Sequence, residues 1–453
     1  MVARTVISFL WPTVRDGACV RRLDRGTQLA QRCSMRTLLG LVSNVAIATL
    51  VAACTSGTEV PANVPALQMN DLSVLFPLAT SPADFATYLS PTSPGVRGAA
   101  LLPEALYTSD PIAGEIPYDG LRVVAFRLDP CFGHVGEIES AASCDDQIRL
   151  VFQPLQLADA SSGVGSAAVA IDAAVHVSYS ITRAQLLTAV ATIAQARAQL
   201  SDADLGPLTV HPLVVQGGLG GTFATQLRSV IATYADSARI ERITSFAVVK
   251  NLTGEAPHPT QLDDDLAGTL WTMHGVDVAN DQESALAIPT LPSASLSVQV
   301  SAVANPLDAS LSPTTTSTDA IGVLANATTA TSAAPSAQQA AFDAALRIEN
   351  PVDHSPDTID CASCHMAEAV RTLVGEQVLG MSAIGNAKRF GADASIPSAD
   401  LTPTTAVVDP SEPTILNIHA FSYRASFPMI NQRVINETAQ NLAYLQSQLA
   451  APR

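Results

Sequence analysis

Alternation of apolar and polar residues is the clearest pattern in the middle of the chain, and it predicts β-strands. The stretches with β-branched and aromatic residues in this pattern are 121–128, 147–152, 175–181, 240–249 and 296–303. Two other segments, 184–200 and 223–234, repeat apolar residues at the helical spacing. Residues 119–308 are therefore predicted to form an α+β body with mixed or antiparallel strands and two helices.

Smaller features refine this body. Its first two strands are predicted to pair. Thr182 is followed three residues later by Gln185, the spacing of a capping box, so the first helix is predicted to begin after Thr182. The apolar run 72–76 is predicted to dock on the body, and Trp271 to pack in a core or an interface.

The helical spacing returns in the last quarter of the chain. Helices are predicted over 336–348, 366–379 and 434–449. Ser336, with Gln339 three residues later, is predicted to cap the first of them. Residues 309–335 are rich in Ser, Thr and Ala, which indicates a linker. Residues 336–453 are therefore predicted to be a small, mostly α-helical C-terminal domain.

This C-terminal region contains a C-x-x-C-H motif formed by Cys361, Cys364 and His365. In this motif each thiol can add to a vinyl group of haem, and the imidazole can bind the iron as its proximal ligand. The motif resembles the haem attachment site of c-type cytochromes. The resemblance implies one covalent haem c joined to both cysteines, with His365 as iron ligand, in a cytochrome c-like domain.

Paired cysteines also occur in other sites. Residues 350–360 contain two prolines and three acidic residues, typical of a loop rather than the strand before a thioredoxin-like redox pair. Asp357 and Asp360 would raise the pKa of a nearby thiol. Structural zinc needs four ligands, and no second C-x-x-C or H-x-x-x-H is present. A disulfide between the two cysteines, in a protein without haem, is the alternative that remains.

Three residues are candidates for the sixth iron ligand. His419 lies in an apolar segment, Met429 precedes the last helix, and His354 lies in the loop before the motif. The last helix resembles that of class I cytochromes c, and this resemblance implies Met429. The motif's separation from the preceding helix departs from class I, so we favour His419, with Met429, His354 or an open position as alternatives. The remaining histidines have no partner at ligand spacing and are predicted to be surface or satisfied core residues: His134, His176, His211, His258 and His274.

The N-terminal region contains an apolar segment over 37–53 that ends in small residues before Cys54. It resembles a bacterial lipoprotein signal. The resemblance implies that residues 1–53 are removed, with Met35 as the true start, and that Cys54 carries a diacylglycerol. Residues 54–118 are then predicted to be a lipid-anchored tether and an irregular segment.

The location follows from the same resemblance. The segment of 17 residues is short for a transmembrane helix and has Ser43 and Asn44 near its middle. Thr55, not aspartate, follows Cys54. In lipoproteins this implies the outer membrane, so the chain is predicted to be extracytoplasmic and lipid-anchored there, on the periplasmic face or the cell surface.

Cysteine use agrees with an oxidising compartment. Cys19, Cys33 and Cys54 belong to the leader or its lipid, and the motif takes two more. The chain has seven cysteines, and the remaining two, Cys131 and Cys144, are predicted to form a disulfide.

The net charge of the chain limits the classes of molecule that it is expected to bind. The chain has a net charge of −17, and from Cys54 onward 17 basic residues face 39 acidic ones, which leaves −22. No basic cluster is present, so nucleic-acid binding is excluded. The function predicted from these features is electron transfer to a redox partner protein, by a carrier rather than an enzyme. A surface or periplasmic binding lipoprotein is the alternative, and a di-haem peroxidase would need a second haem motif.

Overall fold

The structure, a computed structural model, describes residues 63–108, 117–131, 145–157, 167–251, 269–279, 282–286, 298–302, 307, 309–312, 319–354, 358–382 and 416–450. Within these ranges ten strands form one sheet and two more form a hairpin. Their bounds are β1 Ser73–Leu75, β2 Leu121–Asp129, β3 Asp146–Leu157, β4 Ala168–Ala170, β5 Ala173–Ile181, β6 Ile240–Asn251, β7 Thr269–Ala279, β8 Gln282–Ala285, β9 Val298–Ala302, β10 Ala309–Ser312, β11 Phe421–Arg424 and β12 Phe427–Ile430.

The large sheet has the strand order β1-β2-β3-β5-β6-β7-β9-β10, with β4 beside β3 and β8 beside β7. Each of these strand pairs is antiparallel. The predicted α+β class is confirmed in this form, a mainly antiparallel sheet with several helices. The predicted pairing of the first two alternating segments is also confirmed, since β2 pairs with β3. The apolar run at 72–76 docks as predicted, because β1 is fully buried beside β2.

Successive side chains of a strand point to opposite faces of a sheet. The strand register therefore places Arg127, Gln153, His176 and Phe246 on one face, which we call the motif face. Tyr179 lies on the opposite face, where its hydroxyl donates to the carbonyl of Leu101 at 2.9 Å. The two faces of the sheet therefore contact different segments of the chain.

The α-helices of the described residues are α1 Met69–Leu72, α2 Pro82–Phe85, α3 Glu104–Thr108, α4 Arg183–Leu200, α5 Pro212–Gly217, α6 Thr222–Tyr234, α7 Ala327–Ser332, α8 Pro335–Ile348, α9 Cys361–Val370 and α10 Gln432–Ala450. The predicted capping box is confirmed at α4. The Thr182 hydroxyl accepts from the backbone N–H of Gln185 at 3.3 Å, and the Gln185 side chain accepts from the backbone N–H of Thr182 at 3.0 Å. Two donors left over at the helix start are thereby satisfied.

The C-terminal elements pack directly on the motif face. The Arg127 guanidinium donates to the Glu437 carboxylate of α10 at 3.0 Å, and the Gln153 side chain donates to the carbonyl of Tyr423 in β11 at 2.6 Å. One cluster of buried apolar side chains contains both Val151 of β3, on the motif face, and Phe342 of α8. The described residues all belong to one compact unit, Gly57–Arg453, in which no separate small helical domain is distinguished.

The segment predicted as a linker, 309–335, contains regular elements. These are β10, a 3₁₀ turn at Gly322–Ala325 and α7. The predicted cap at Ser336 is wrong, because α8 begins at Pro335 with Ala334 as its N-cap. Proline suits the first helical position, where no intrahelical N–H bond is lost. Among the described residues, no helix has the length and apolar character needed to cross a membrane.

His211 is a buried core histidine at the start of α5. It is fully buried, and neither ring nitrogen forms a hydrogen bond with a described residue. Burial lowers the pKa of His211 from 6.5 to about 4, because the charged imidazolium loses its hydration. The sequence predicted a satisfied core or surface histidine here, and the absence of a ring partner corrects that expectation.

The folded protein is expected to lose stability in mild acid because of His211. The unfolded chain protonates this imidazole near pH 6.5, whereas the folded chain does so only near pH 4. The free energy of unfolding should therefore fall by about 3 kcal/mol from this group as the pH drops through that window. Urea denaturation of wild type and His211→Leu at several pH values measures the effect. The free energy of unfolding of the variant should depend less steeply on pH than that of wild type. The same slope in both proteins would contradict the prediction.

Candidate functional site

The C-x-x-C-H motif forms the first turns of α9. Asp360 is the N-cap, and its carboxylate accepts from the backbone N–H of Ser363 at 2.9 Å. The sequence predicted that the motif would open a helix over 366–379. The helix instead starts five residues earlier, at Cys361, and after Val370 it continues as a π-helix at Arg371–Val378. Positions three and four apart lie on one side of a helix, so Cys361, Cys364 and His365 share a side.

The imidazole of His365 is held by its Nδ1 atom. This nitrogen lies 2.6 Å from the carbonyl oxygen of Ile418, which can only accept, so Nδ1 carries the proton. Nε2 then has a free lone pair, and it forms no hydrogen bond with any described residue. A histidine that binds a metal through one nitrogen commonly donates the other N–H to a carbonyl, which fixes the tautomer and the ring orientation. The backbone near Ile418 therefore prepares His365 to bind a metal through Nε2.

Both thiols of the motif are free and partly exposed. Burial, together with the neighbouring Cys364 and Asp360, raises the pKa of Cys361 to about 12. Burial also raises the pKa of Cys364. The predicted effect of Asp360 thus has the expected direction, while Asp357 lies outside the described residues. Reactive redox cysteines have lowered thiol pKa values, so these surroundings do not favour a thioredoxin-like pair.

The motif face lies against the His365 ring. The Phe246 ring of β6 is 5.6 Å from it at a steep angle, and the His176 ring of β5 is 6.4 Å from it, both measured between centroids. Burial lowers the pKa of His176 well below 6.5, and the nearby His365 adds to this effect. His176 is therefore a neutral imidazole. No local pattern predicted this contact, because the two histidines are far apart along the chain.

The preferred sixth ligand, His419, belongs to another network. Its Nδ1 lies 2.6 Å from the hydroxyl of Ser422, and its Nε2 lies 2.7 Å from a carboxylate oxygen of Asp172. Asp172 also accepts hydrogen bonds from Arg424 and from the Trp271 indole N–H, the latter at 3.1 Å. Trp271 is thus a core residue, as predicted. Both ring nitrogens of His419 are engaged, so iron binding would require one of these bonds to break.

Asp172 is the centre of this buried network. Burial alone would raise its pKa, but the Arg424 guanidinium and the His419 imidazole lower the pKa of Asp172 to about 2. The order of Ser422, His419 and Asp172 is that of a hydrolase triad. Ser422 is only 1% exposed and His419 only 2%, so a substrate cannot reach the hydroxyl. The network instead ties β11 to the motif face.

The structure also describes His354 and Met429, the other two candidates for the sixth iron ligand. The Nδ1 of His354 lies 3.0 Å from the Thr358 hydroxyl, and its Nε2 lies 2.6 Å from a carboxylate oxygen of Asp319. Both of its nitrogens are therefore engaged as well. Met429 is fully buried in β12, where it faces Ser422 across the hairpin. Neither residue has a described contact with His365.

The remaining predicted site residues lie at the edge of the described chain or outside it. Cys131 is disulfide-bonded, but its predicted partner Cys144 lies outside the described residues, so the pairing stays a prediction. Cys54 and the signal region also lie outside the described residues.

The motif residues fit a covalent haem on the features described above. Two free thiols and an imidazole with an available Nε2 share one side of α9. Among the described residues, no group of three or more His, Cys, Asp and Glu side chains is arranged to hold a bare metal ion.

Comparisons with protein-family models, with curated proteins and with solved structures found no match. Function is therefore inferred from the site itself. Sequence reasoning located the motif but missed Ile418, Phe246 and His176, which surround the His365 ring. Only the alternation that places His176 on one face of β5 was readable in the sequence.

Proposed function

We propose that this chain is an extracytoplasmic c-type cytochrome lipoprotein that transfers electrons through one covalent haem c. Cys361 and Cys364 would hold the haem through thioether bonds, and His365 would bind its iron. The observation that carries the proposal is the hydrogen bond from Nδ1 of His365 to the carbonyl of Ile418, because it leaves Nε2 available.

Each motif residue has a role that its surroundings support. Asp360 caps α9 and so orients the first turn, on which both thiols lie. Ile418 fixes the tautomer of His365, and Phe246 limits rotation of the ring by packing against it. A bound haem supplies one-electron exchange at its iron, at a potential set by axial ligation and burial. The protein would act as a carrier and would not turn over a substrate.

We also propose that α8, α9 and α10 are the cytochrome c-like part of the chain. The helix predicted over 434–449 supports this, since Val434, Thr438 and Leu445 of α10 are buried. These helices contact one another and pack on the sheet. In this proposal the α+β body is part of the haem environment.

The proposed location is the outer membrane, with the lipid on Cys54 as anchor. The proposed partner is a redox protein with a basic surface, because the chain from Cys54 onward, with a net charge of −22, attracts basic partners and repels acidic ones. This attraction would weaken as salt is added.

Haem staining after denaturing electrophoresis tests the central proposal. The full chain is expressed with periplasmic export in a host that attaches haem c. Only covalent haem survives denaturation, so a stained band at the size of the chain is expected. An unstained band, together with a disulfide between Cys361 and Cys364, would overturn the proposal and favour a binding lipoprotein without haem.

Replacement of Cys54 is expected to abolish lipid attachment. Cells that express wild type or Cys54→Ser are labelled with radioactive palmitate and separated into membrane and soluble fractions. Wild type should carry label in the membrane fraction, and the variant should carry none, because its hydroxyl does not replace the acceptor thiol. Equal labelling of the two proteins would exclude Cys54 as the attachment site.

A further inference from the structure

We propose that His176, on strand β5 of the body, is the second axial ligand of the iron bound by His365. This inference rests on the proposed function, since it names the partner residue for the same haem. It assigns the sixth position to a residue far from the motif in sequence, in place of His419, Met429 or His354.

The separation of the two rings is the first observation. An imidazole bound through nitrogen has its ring centroid about 3.2 Å from the metal, because the metal–nitrogen bond is about 2.0–2.1 Å. Two imidazoles on opposite sides of one iron therefore have centroids about 6.4 Å apart. The centroids of His176 and His365 are 6.4 Å apart. Their ring planes differ by 54°, which each imidazole can adopt by turning about its own bond to the metal.

The second observation is which ring nitrogens are already used. The ring nitrogens of His176 form no hydrogen bond with any described residue, and the ring of His365 uses only Nδ1. Both side chains keep part of their surface exposed. His419 and His354, in contrast, each engage both nitrogens. Among these four histidines, only the facing pair has a nitrogen free for a metal.

The Cys364 thiol belongs to the same region as His176. Arg149, on the motif face beside β5, lies close enough to affect the pKa values of both His176 and Cys364. Arg127 likewise lies near both of these residues. The Cys364 thiol and the imidazole of His176 therefore share one region of the motif face.

The sheet holds His176 rigidly. The residue is paired with Val151 of β3 on one side and with Thr244 of β6 on the other. A ligand on a doubly paired strand is positioned more exactly than one on a loop. The body would then supply one axial ligand, while α9 supplies the other ligand and both thioether bonds.

Absorption spectra of the full-length protein with attached haem test this inference. Wild type should be low-spin in both oxidation states and should lack the near-infrared charge-transfer band of methionine ligation. His176→Ala should keep its covalent haem, with an unchanged pyridine haemochrome, but lose the low-spin spectrum. Added imidazole should restore it. The matched controls His419→Gln and Met429→Leu should stay low-spin.

The outcomes separate the two proposals. Wild type without covalent haem overturns the proposed function itself. Covalent haem with a low-spin spectrum unchanged in His176→Ala overturns only the axial assignment, and the two rings then merely pack. A methionine band in wild type that Met429→Leu removes also overturns it. If His176→Ala does not accumulate, His176→Met is used, and it should gain the methionine band and have a higher reduction potential than wild type.

Discussion

Cys361→Ala and Cys364→Ala are each expected to lose one thioether bond, and the double variant is expected to lose all covalent haem. Each thiol forms only one bond to a vinyl group. Because α9 contains no third cysteine, no other side chain on this helix can replace a lost thiol. Haem staining should fall in each single variant and vanish in the double variant. The pyridine haemochrome band, which differs between two thioether links and one, identifies the bond that remains.

The matched control is Cys131→Ala. Cys131 is disulfide-bonded and lies outside the motif, so its replacement should leave haem staining at the wild-type level. Undiminished staining in the double variant would show that the haem is attached to other residues. Equal loss in Cys131→Ala and the motif variants would indicate a general folding defect instead.

Asp172→Ala is expected to lower the free energy of unfolding by about 3–5 kcal/mol, the usual cost of breaking a buried ion pair. Asp172 accepts hydrogen bonds from His419, Arg424 and Trp271, all of them buried. Its removal would take away the carboxylate that pairs with the buried Arg424 guanidinium. Since the network ties β11 to the sheet, the loss should also loosen the hairpin. Urea denaturation at neutral pH measures the difference.

Asp277→Ala is the matched control for this measurement. Asp277 pairs with Arg242 at 2.8 Å, but its side chain is 41% exposed. Exposed pairs contribute less than about 1 kcal/mol, so this variant should stay close to wild type. If both variants lose a similar, small amount of unfolding free energy, the Asp172 network does not stabilise the fold.

The strands and helices of the body were largely readable from local patterns. The alternating segments became β2, β3, β5, β6 and β9, and the helical spacing became α4 and α6. Alternation predicts strands here because successive side chains point to opposite faces of the sheet, and the side chains on the two faces differ in polarity. The eleven-residue strand β7 was not predicted. The four-residue strands β11 and β12 also escaped prediction, because so short a segment carries too little periodicity.

The C-terminal region shows why domain limits were harder to predict. Its helices were recognised, but their relation to the sheet was not. Contacts such as the 2.7 Å hydrogen bond between Ser73 and Thr438 join residues from opposite ends of the described chain. Local sequence carries no signal for such long-range packing. The C-terminal helices were therefore predicted as a separate domain although they share the core of the sheet.

The sequence by itself determined the C-x-x-C-H motif, because its two thiols and its imidazole are neighbours along the chain. It also determined the capping box at Thr182, which depends on residues within one turn. Only the tertiary structure decided what surrounds His365. Ile418 and His176 reach it through the packing of α9 on the motif face. Axial ligation depends on distances between folded elements, and spacing along the chain does not encode those distances.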